Sequence, residues 1–285
     1  STRSARASCR PKGKTMILSA KTRKAILSVP FAREAANLVV NISNNRFYKK
    51  LNAEKHFDEK IRSLKNSKAG QRCFIVGSGP SLTVEQLEAI KDEDCFGANR
   101  IYKLFEKTTW RPKYYVIQDK YDSTKGVYEN LDVEYLFISD FYWKEHGMKN
   151  PHAICYHIDR TLKQTSNLPF SDDCSMYIQA ASTVSFTMIQ LACYMGYKEI
   201  YLIGMDHTYA NVTNDKGVII QKNKVKSHAF EDEKPNEVVA NISYMEDAYR
   251  TAKKYCESNG VGIYNATLGG ALEIFERKDF WKLMR

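Results

Sequence analysis

Cys73-Phe74-Ile75-Val76-Gly77-Ser78-Gly79-Pro80-Ser81-Leu82 is a short apolar run that stops at two glycines, a proline and a serine. It then becomes the polar start of an amphipathic segment. The pattern predicts a buried strand, a tight turn and the first turn of a helix. Such a turn gathers backbone N–H groups and the positive end of a helix dipole at one spot, which suits a phosphate. The loop matches neither common phosphate motif: the Gly-Lys-Ser/Thr of a P-loop is missing, and Leu82 stands where a dinucleotide fingerprint has its third glycine. Pro80 donates no hydrogen bond but suits a first helical turn, and Ser78 and Ser81 add hydroxyl donors. A mononucleotide is the economical ligand. An isolated Gly-x-Gly is as often an ordinary strand–helix turn, so the remaining chain has to supply partners.

Downstream, strand and helix patterns alternate. Strands are predicted near Cys73–Val76, Cys95–Ala98, Tyr114–Gln118, Tyr135–Ser139, Ala153–His157, Glu199–Ile203 and Val261–Tyr264. Helices are predicted near Thr83–Lys91, Ile101–Lys107, Thr183–Met195 and Glu237–Ser258, with Gly196 and Gly260 just past the last two as C-terminal caps. Alternation of this kind gives an α/β fold with a mainly parallel, Rossmann-like sheet and helices on both faces. Ligands of such sheets bind beyond the carboxyl ends of the strands. Residues 70–285 are read as this domain, and 208–236, polar and charged with Gly217 and Pro235, as a lid loop within it.

The chain has 285 residues and a formal net charge of +10. Nine basic residues, Arg3, Arg6, Arg10, Lys12, Lys14, Lys21, Arg23, Lys24 and Arg33, precede the first acidic one, Glu34. What remains is nearly balanced, which argues against a nucleic-acid-binding domain and for a basic arm. Residues 1–14 are read as disordered. Residues 15–69 form an N-terminal helical appendage, with Ile26, Leu27, Phe31, Leu38, Val39 and Ile42 among Lys and Arg, and Pro30 as a break or restart. Its apolar face fits the main domain, a second subunit of a homo-oligomer, or an anionic membrane surface. No stretch is apolar enough to cross a bilayer. The start carries no apolar core of the signal-peptide type, and the chain opens on Ser1 rather than Met, which is compatible with a segment upstream. Seven cysteines at scattered spacings, without a CxxC pair, read as buried thiols in a reducing, cytoplasmic compartment.

Four further points fall at strand ends. Asn99 follows Cys95–Ala98 and suits a base or a sugar hydroxyl. Asp119 closes Tyr114–Gln118, with Asp122 nearby. Ser182-Thr183 precedes a helix, and Asp206-His207 follows Glu199–Ile203. Each alone is more often a cap or turn residue; a shared position at one sheet edge favours a joint site. His228, in the lid, is a candidate general base because loops close over sites, and His207 competes with it. His56, His146, His152 and His157 have no local support and are read as structural or surface residues. No His/Cys cluster has zinc spacing.

Gly77-Ser78-Gly79-Pro80-Ser81-Leu82, Gly97-Ala98-Asn99-Arg100, Trp110-Arg111-Pro112, Gly196 to His207 and Tyr264 to Phe275 together resemble the MptE-like family. That family is named after the archaeal 6-hydroxymethylpterin pyrophosphokinase and includes domains of flagellin glycosylation proteins. The Gly-x-Gly-Pro-Ser-Leu loop, the Asn after the second strand, the Ser/Thr before a helix, and Gly-Tyr-Lys-Glu-Ile-Tyr-Leu followed by Gly-x-Asp also resemble bacterial CMP-sialic-acid-dependent sialyltransferases. The likeness spans roughly residues 70–280. It implies a GT-A-like sialyltransferase variant of the fold, CMP contacts at Ser78, Asn99, Ser182 and Thr183, and a phosphate-binding tyrosine near Tyr209; Gly77, Gly79, Ser81 and Asp119 join this nucleotide site by their place in the loop and at a strand end. At Ser78 the sialyltransferases have an asparagine. The general base it implies is His228; Asp206 and His207, at the end of the strand Glu199–Ile203, are the further catalytic candidates read from the residues themselves. The implied reaction is inverting transfer of a 2-keto sugar acid from a CMP-activated donor to a bacterial surface glycan or its lipid-linked carrier, with no metal required. The basic arm places such an enzyme at the inner face of the membrane. The pyrophosphokinase likeness implies instead that Asp119 and Asp206 hold Mg²⁺ on a nucleoside triphosphate. A nucleotide- or glycan-binding module without catalysis is the third expectation.

Overall fold

The computed structural model describes residues 30–119, 125–159, 168–209, 211–213, 219–221, 228–230 and 240–285. The basic arm at 1–14, Asp122 and parts of the predicted lid lie outside these. Packing divides the chain into two compact units, residues 1–40 and 41–285. In the first, the described residues form the opening turns of helix α1 (Pro30–Lys55), where Leu38, Val39 and Val40 are exposed. Proline suits the start of a helix because its missing N–H would have no partner there.

In the larger unit, α1 ends at His56, whose left-handed φ of 54° turns the chain into α2 (Phe57–Ser63). Asn52 staples this break, donating from Nδ2 to Asp58 Oδ1 (2.7 Å) and accepting from Asp58 N (2.9 Å). Helix α2, which the sequence assigned to the appendage, buries Phe57 and Ile61 in the core of the α/β body.

The α/β body follows as β1 (Arg72–Val76), α3 (Val84–Ala89), β2 (Cys95–Ala98), a 3₁₀ helix (Asn99–Leu104), β3 (Tyr114–Ile117), α4 (Lys125–Glu129), β4 (Tyr135–Ser139), α5 (Asp140–His146) and β5 (Ala153–Tyr156). After two short strands, β6 (Ile158–Asp159) and β7 (Ile178–Gln179), come α6 (Val184–Met195), β8 (Glu199–Ile203), β9 (Asn211–Thr213), β10 (Ile219–Gln221), α7 (Ile242–Ser258), β11 (Gly262–Asn265), β12 (Glu276–Arg277) and α8 (Phe280–Leu283). Eight strands form one sheet in the order β12-β11-β8-β1-β2-β3-β4-β5, and every neighbouring pair is parallel.

Both faces of this sheet are covered, which is why its strands read as unbroken apolar runs. In β1, Cys73 and Ile75 join one core with α2, α6 and α7, while Phe74 and Val76 join a second with α3, the 3₁₀ helix and α8. In β8, Ile200 and Leu202 alternate with Tyr201 and Ile203 in the same way. The fold is an α/β, Rossmann-like sheet.

Some local expectations change. The helix predicted at Ile101–Lys107 is a 3₁₀ helix that starts two residues earlier, at Asn99. The strand predicted at Val261–Tyr264 is shifted by one residue. Within 208–236, read as an irregular lid, β9 and β10 pair antiparallel. His157, read as lacking support, places Nδ1 2.7 Å from Oδ2 of the buried Asp140 and stacks on Tyr48, tying the end of β5 to the end of β4.

Candidate functional site

The strand order reverses between β1 and β8. From β1 the chain runs outward through β2, β3, β4 and β5, then returns to β8 on the other flank. Loops leaving two such strands diverge and open a crevice beyond their carboxyl ends. One wall of this crevice is Gly77–Leu82 and the other is Gly204–His207.

The walls touch at their base. Gly77 N donates to Ile203 O and Gly79 N to Gly204 O, both at 2.8 Å. A Cβ on Gly77 would overlap Gly204 O, and one on Gly79 would overlap Asp206 Oδ2. The glycines therefore serve the close approach of two loops. Ser81 N donates to Asp206 Oδ1 (3.1 Å) and Ser81 Oγ to Asp206 Oδ2 (2.8 Å). An internal carboxylate thus occupies donors of the turn that the sequence reading left free for a phosphate. Burial pushes the Asp206 carboxyl up from its ordinary value, with the Ser81 bonds pulling the other way.

A third wall, missed in the sequence, leaves β11. Thr267 Oγ1 accepts from Met205 N (3.0 Å), and Ala271 N donates to Asp206 O (2.7 Å). Gly270, at φ 74°, lies so close that a Cβ would sit 2.7 Å from Asp206 Cα and O. Arg277 holds this loop by donating to Gly269 O (2.6 Å) and Gly270 O (3.1 Å). The Gly269-Gly270 pair just after a predicted strand was the available signal.

The first turn of α6 reaches the same edge. Gln118, directly after β3, donates from Nε2 to Ala181 O (3.2 Å) and accepts from Thr187 Oγ1 (2.6 Å). Ser185 Oγ lies 3.4 Å from Met205 Sδ. Thr183 caps the helix, its hydroxyl accepting from Ser185 N (3.3 Å), and Ser182 is exposed beside it. Asn99 follows β2 with a left-handed φ of 52°, a conformation asparagine tolerates better than most residues. Its carbonyl accepts from the Tyr115 hydroxyl, and its side chain makes no hydrogen bond among the described residues. Asp119 is exposed beyond β3. Three inter-strand steps separate β3, which Asp119 follows, from β8, which Asp206 follows, roughly 14 Å at the usual spacing. Among the described residues no group of three His, Cys, Asp or Glu side chains could hold a metal.

His207 and His228 differ sharply. The His207 side chain is only 5% exposed, has φ 56°, and wedges between the Tyr209 and Tyr249 rings. Among the described residues neither ring nitrogen has a hydrogen-bond partner, although Nε2 lies 3.6 Å from Glu246 Oε1. Burial lowers its pKa, against the pull of Glu246. Burial likewise raises Tyr209 and Tyr249. His228 is half-buried and stacks on Phe230 at 5.2 Å. Its Nδ1 lies 3.1 Å from Ser78 Oγ, and the next residue, Ala229, donates from N to Ser78 O (2.8 Å).

Hydroxyl, amide and imidazole groups surround the switch point of a parallel sheet, where such folds take their ligands, and a family match makes the chain a nucleotide-related, enzyme-like α/β module. The chain belongs to the MptE-like family: the model described as "6-hydroxymethylpterin diphosphokinase MptE-like" matches residues 45–212. That span includes the β1 loop, Asn99, Asp119, Ser182, Thr183, Asp206, His207 and Tyr209, and stops before His228 and the β11 loop. No curated protein matches the chain.

Proposed function

We propose that the protein is an inverting glycosyltransferase that takes a 2-keto sugar acid (sialic, pseudaminic or Kdo-like) from a CMP-activated donor. The acceptor is a bacterial surface glycan or its lipid-linked carrier. The observation that carries this reading is the seating of His228 on the β1 loop through Ser78. In the tautomer whose Nδ1–H donates to Ser78 Oγ, Nε2 carries no proton and takes that of the acceptor hydroxyl as the bond to the anomeric carbon forms. CMP leaves as an anion, met by the Ser182 and Thr183 hydroxyls at the α6 N-terminus and by Asn99. Asp206, with both oxygens held by Ser81, serves as the clamp between the two loops and not as a cation ligand.

Thermal-shift titration with CMP, CDP, GTP and ATP tests the nucleotide, because a ligand of the native state raises the midpoint. CMP should give the largest shift. Equal shifts for all four, with no CMP released from any such donor, would sink the proposal. His228→Ala should stop turnover and leave the CMP shift nearly unchanged; turnover that persists would remove His228 from the mechanism.

The family description supports a second reading, a Mg²⁺-dependent pyrophosphokinase-like enzyme. In that reading Asp119 and Asp206 hold the cation through phosphate, and Asp206 would have to share its oxygens with Ser81. Release of AMP from ATP, strictly dependent on Mg²⁺, would establish that activity instead. No helix of the described residues is long and apolar enough to cross a membrane. We place the protein peripherally at the inner membrane face through its basic arm, and deletion of residues 1–33 should abolish flotation with anionic vesicles.

A further inference from the structure

Outside the crevice, two thiols face each other where the C-terminal turns of α6 and α7 pack. Cys193 Sγ lies 3.6 Å from Cys256 Sγ, and both side chains are free. A disulfide needs the sulfurs closer by roughly 1.5 Å. Cys256 is fully buried, whereas Cys193 is partly open and lines a cleft of about 260 Å³ with Lys65, Lys198, Asp172, Tyr194 and Tyr255. Lys65 and Lys198, both exposed, outnumber Asp172 among the charged residues of the lining, which favours an anionic reagent. The other described cysteines, Cys73, Cys95, Cys155 and Cys174, are buried.

We propose that Cys193 and Cys256 form a reversible redox site, oxidised by low-molecular-weight disulfides of the glutathione type. The proposal stands apart from the glycosyltransferase reading. Cys193 loses its proton and its sulfur attacks the reagent's S–S bond, giving a mixed disulfide and one released thiol. Cys256 then loses its proton and attacks Cys193 Sγ, forming the Cys193–Cys256 bond and releasing the second thiol. The protein gives up two electrons and two protons, and the reagent disulfide becomes two thiols. The thiolate of Cys193 is scarce, because its contact with Cys256 and its burial both raise its pKa, so the exchange is slow. The bond would close the stretch of chain carrying β8, Asp206, His207 and His228, and would pin α6, headed by Thr183, to α7, which carries Glu246 and Tyr249.

The test is incubation of the full chain with excess oxidised glutathione, followed by intact-mass and non-reducing peptide mapping. The expected product lacks two hydrogens, contains a Cys193–Cys256 linked peptide, and after unfolding takes two fewer alkylations than the seven cysteines of the sequence. Its thermal midpoint should rise by several degrees and fall back with dithiothreitol. Cys256→Ser should trap glutathione on Cys193, and Cys193→Ser should give neither adduct nor link at this pair. Full alkylation of the treated protein, a link between another pair, or a glutathione adduct persisting on Cys193 of the unaltered chain would each overturn the proposal.

Discussion

At Gly79 the space for a side chain is already taken by a carboxylate oxygen of Asp206. Gly79→Ala must push apart the two loops that form the base of the crevice. The expected loss is about 1–3 kcal/mol, typical of overpacking, read as a lower urea midpoint with unchanged slope. The neighbours Asp206 and His207 carry opposite pH dependences. The lowered pKa of His207 means that its contribution is present above the ordinary imidazole value of 6.5 and is lost as pH falls through the depressed one. The raised pKa of Asp206 means that its contribution is present below 3.8 and is lost as pH rises through the elevated value. His207→Gln should therefore flatten the acid side of the stability profile, and Asp206→Asn should remove a loss on going from acid toward neutral pH. Denaturation midpoints at a series of pH values check both signs. The same slope in both variants would contradict this assignment.

At the scale of elements, what was legible depended on period and punctuation. The strands β1 and β8 stand out because burial on both faces leaves them uniformly apolar and bounded by glycine. Helix α3 announces itself by Thr83-Val84-Glu85-Gln86, a capping box in which Thr83 Oγ1 accepts from Gln86 N (3.2 Å) and Gln86 Oε1 from Thr83 N (3.2 Å). Thr83→Ala should cost about 1 kcal/mol, and a denaturation curve unchanged within error would show the cap to be dispensable. Helix α5 was missed because it begins at Asp140, the residue directly after β4, with no turn residue between. The strand β12 has two exposed residues, too few for any period to show. The strand ends that frame the candidate site were legible, since chain order fixes which residues follow a strand. The contact of His228 with Ser78, across 150 positions, and the filling of the turn by Asp206 depend on how loops pack, and spacing does not encode that.

For the whole molecule, the two edges of the sheet divide the labour. The amino edge is tied by Asp94, which accepts from Lys68 Nζ (2.7 Å) and the Tyr197 hydroxyl (2.5 Å) and lies 3.2 Å from Lys113 Nζ. These partners come from the turn before β1 and from the starts of β3 and β8, so one carboxylate fixes where the strands begin. Burial alone would raise the Asp94 pKa, but the bonds from Lys68 and Tyr197 and the charge of Lys113 outweigh it and the net shift is downward. The contribution is thus present above 3.8 and lost as pH falls through the depressed value. Asp94→Asn keeps the shape and removes the charge that two half-buried lysines share; the expected cost is about 1.5–3 kcal/mol, that of a hydrogen bond to a charged group. Strands of five residues put the carboxyl edge roughly 17 Å away, beyond a Debye length at physiological salt. The variant should therefore melt earlier yet bind CMP with unchanged affinity once the temperature is held well below its midpoint. Calorimetric titration of both proteins decides this. A parallel loss of affinity would mean that the amino-edge clamp sets the spacing of β1 and β8, and with it the width of the crevice.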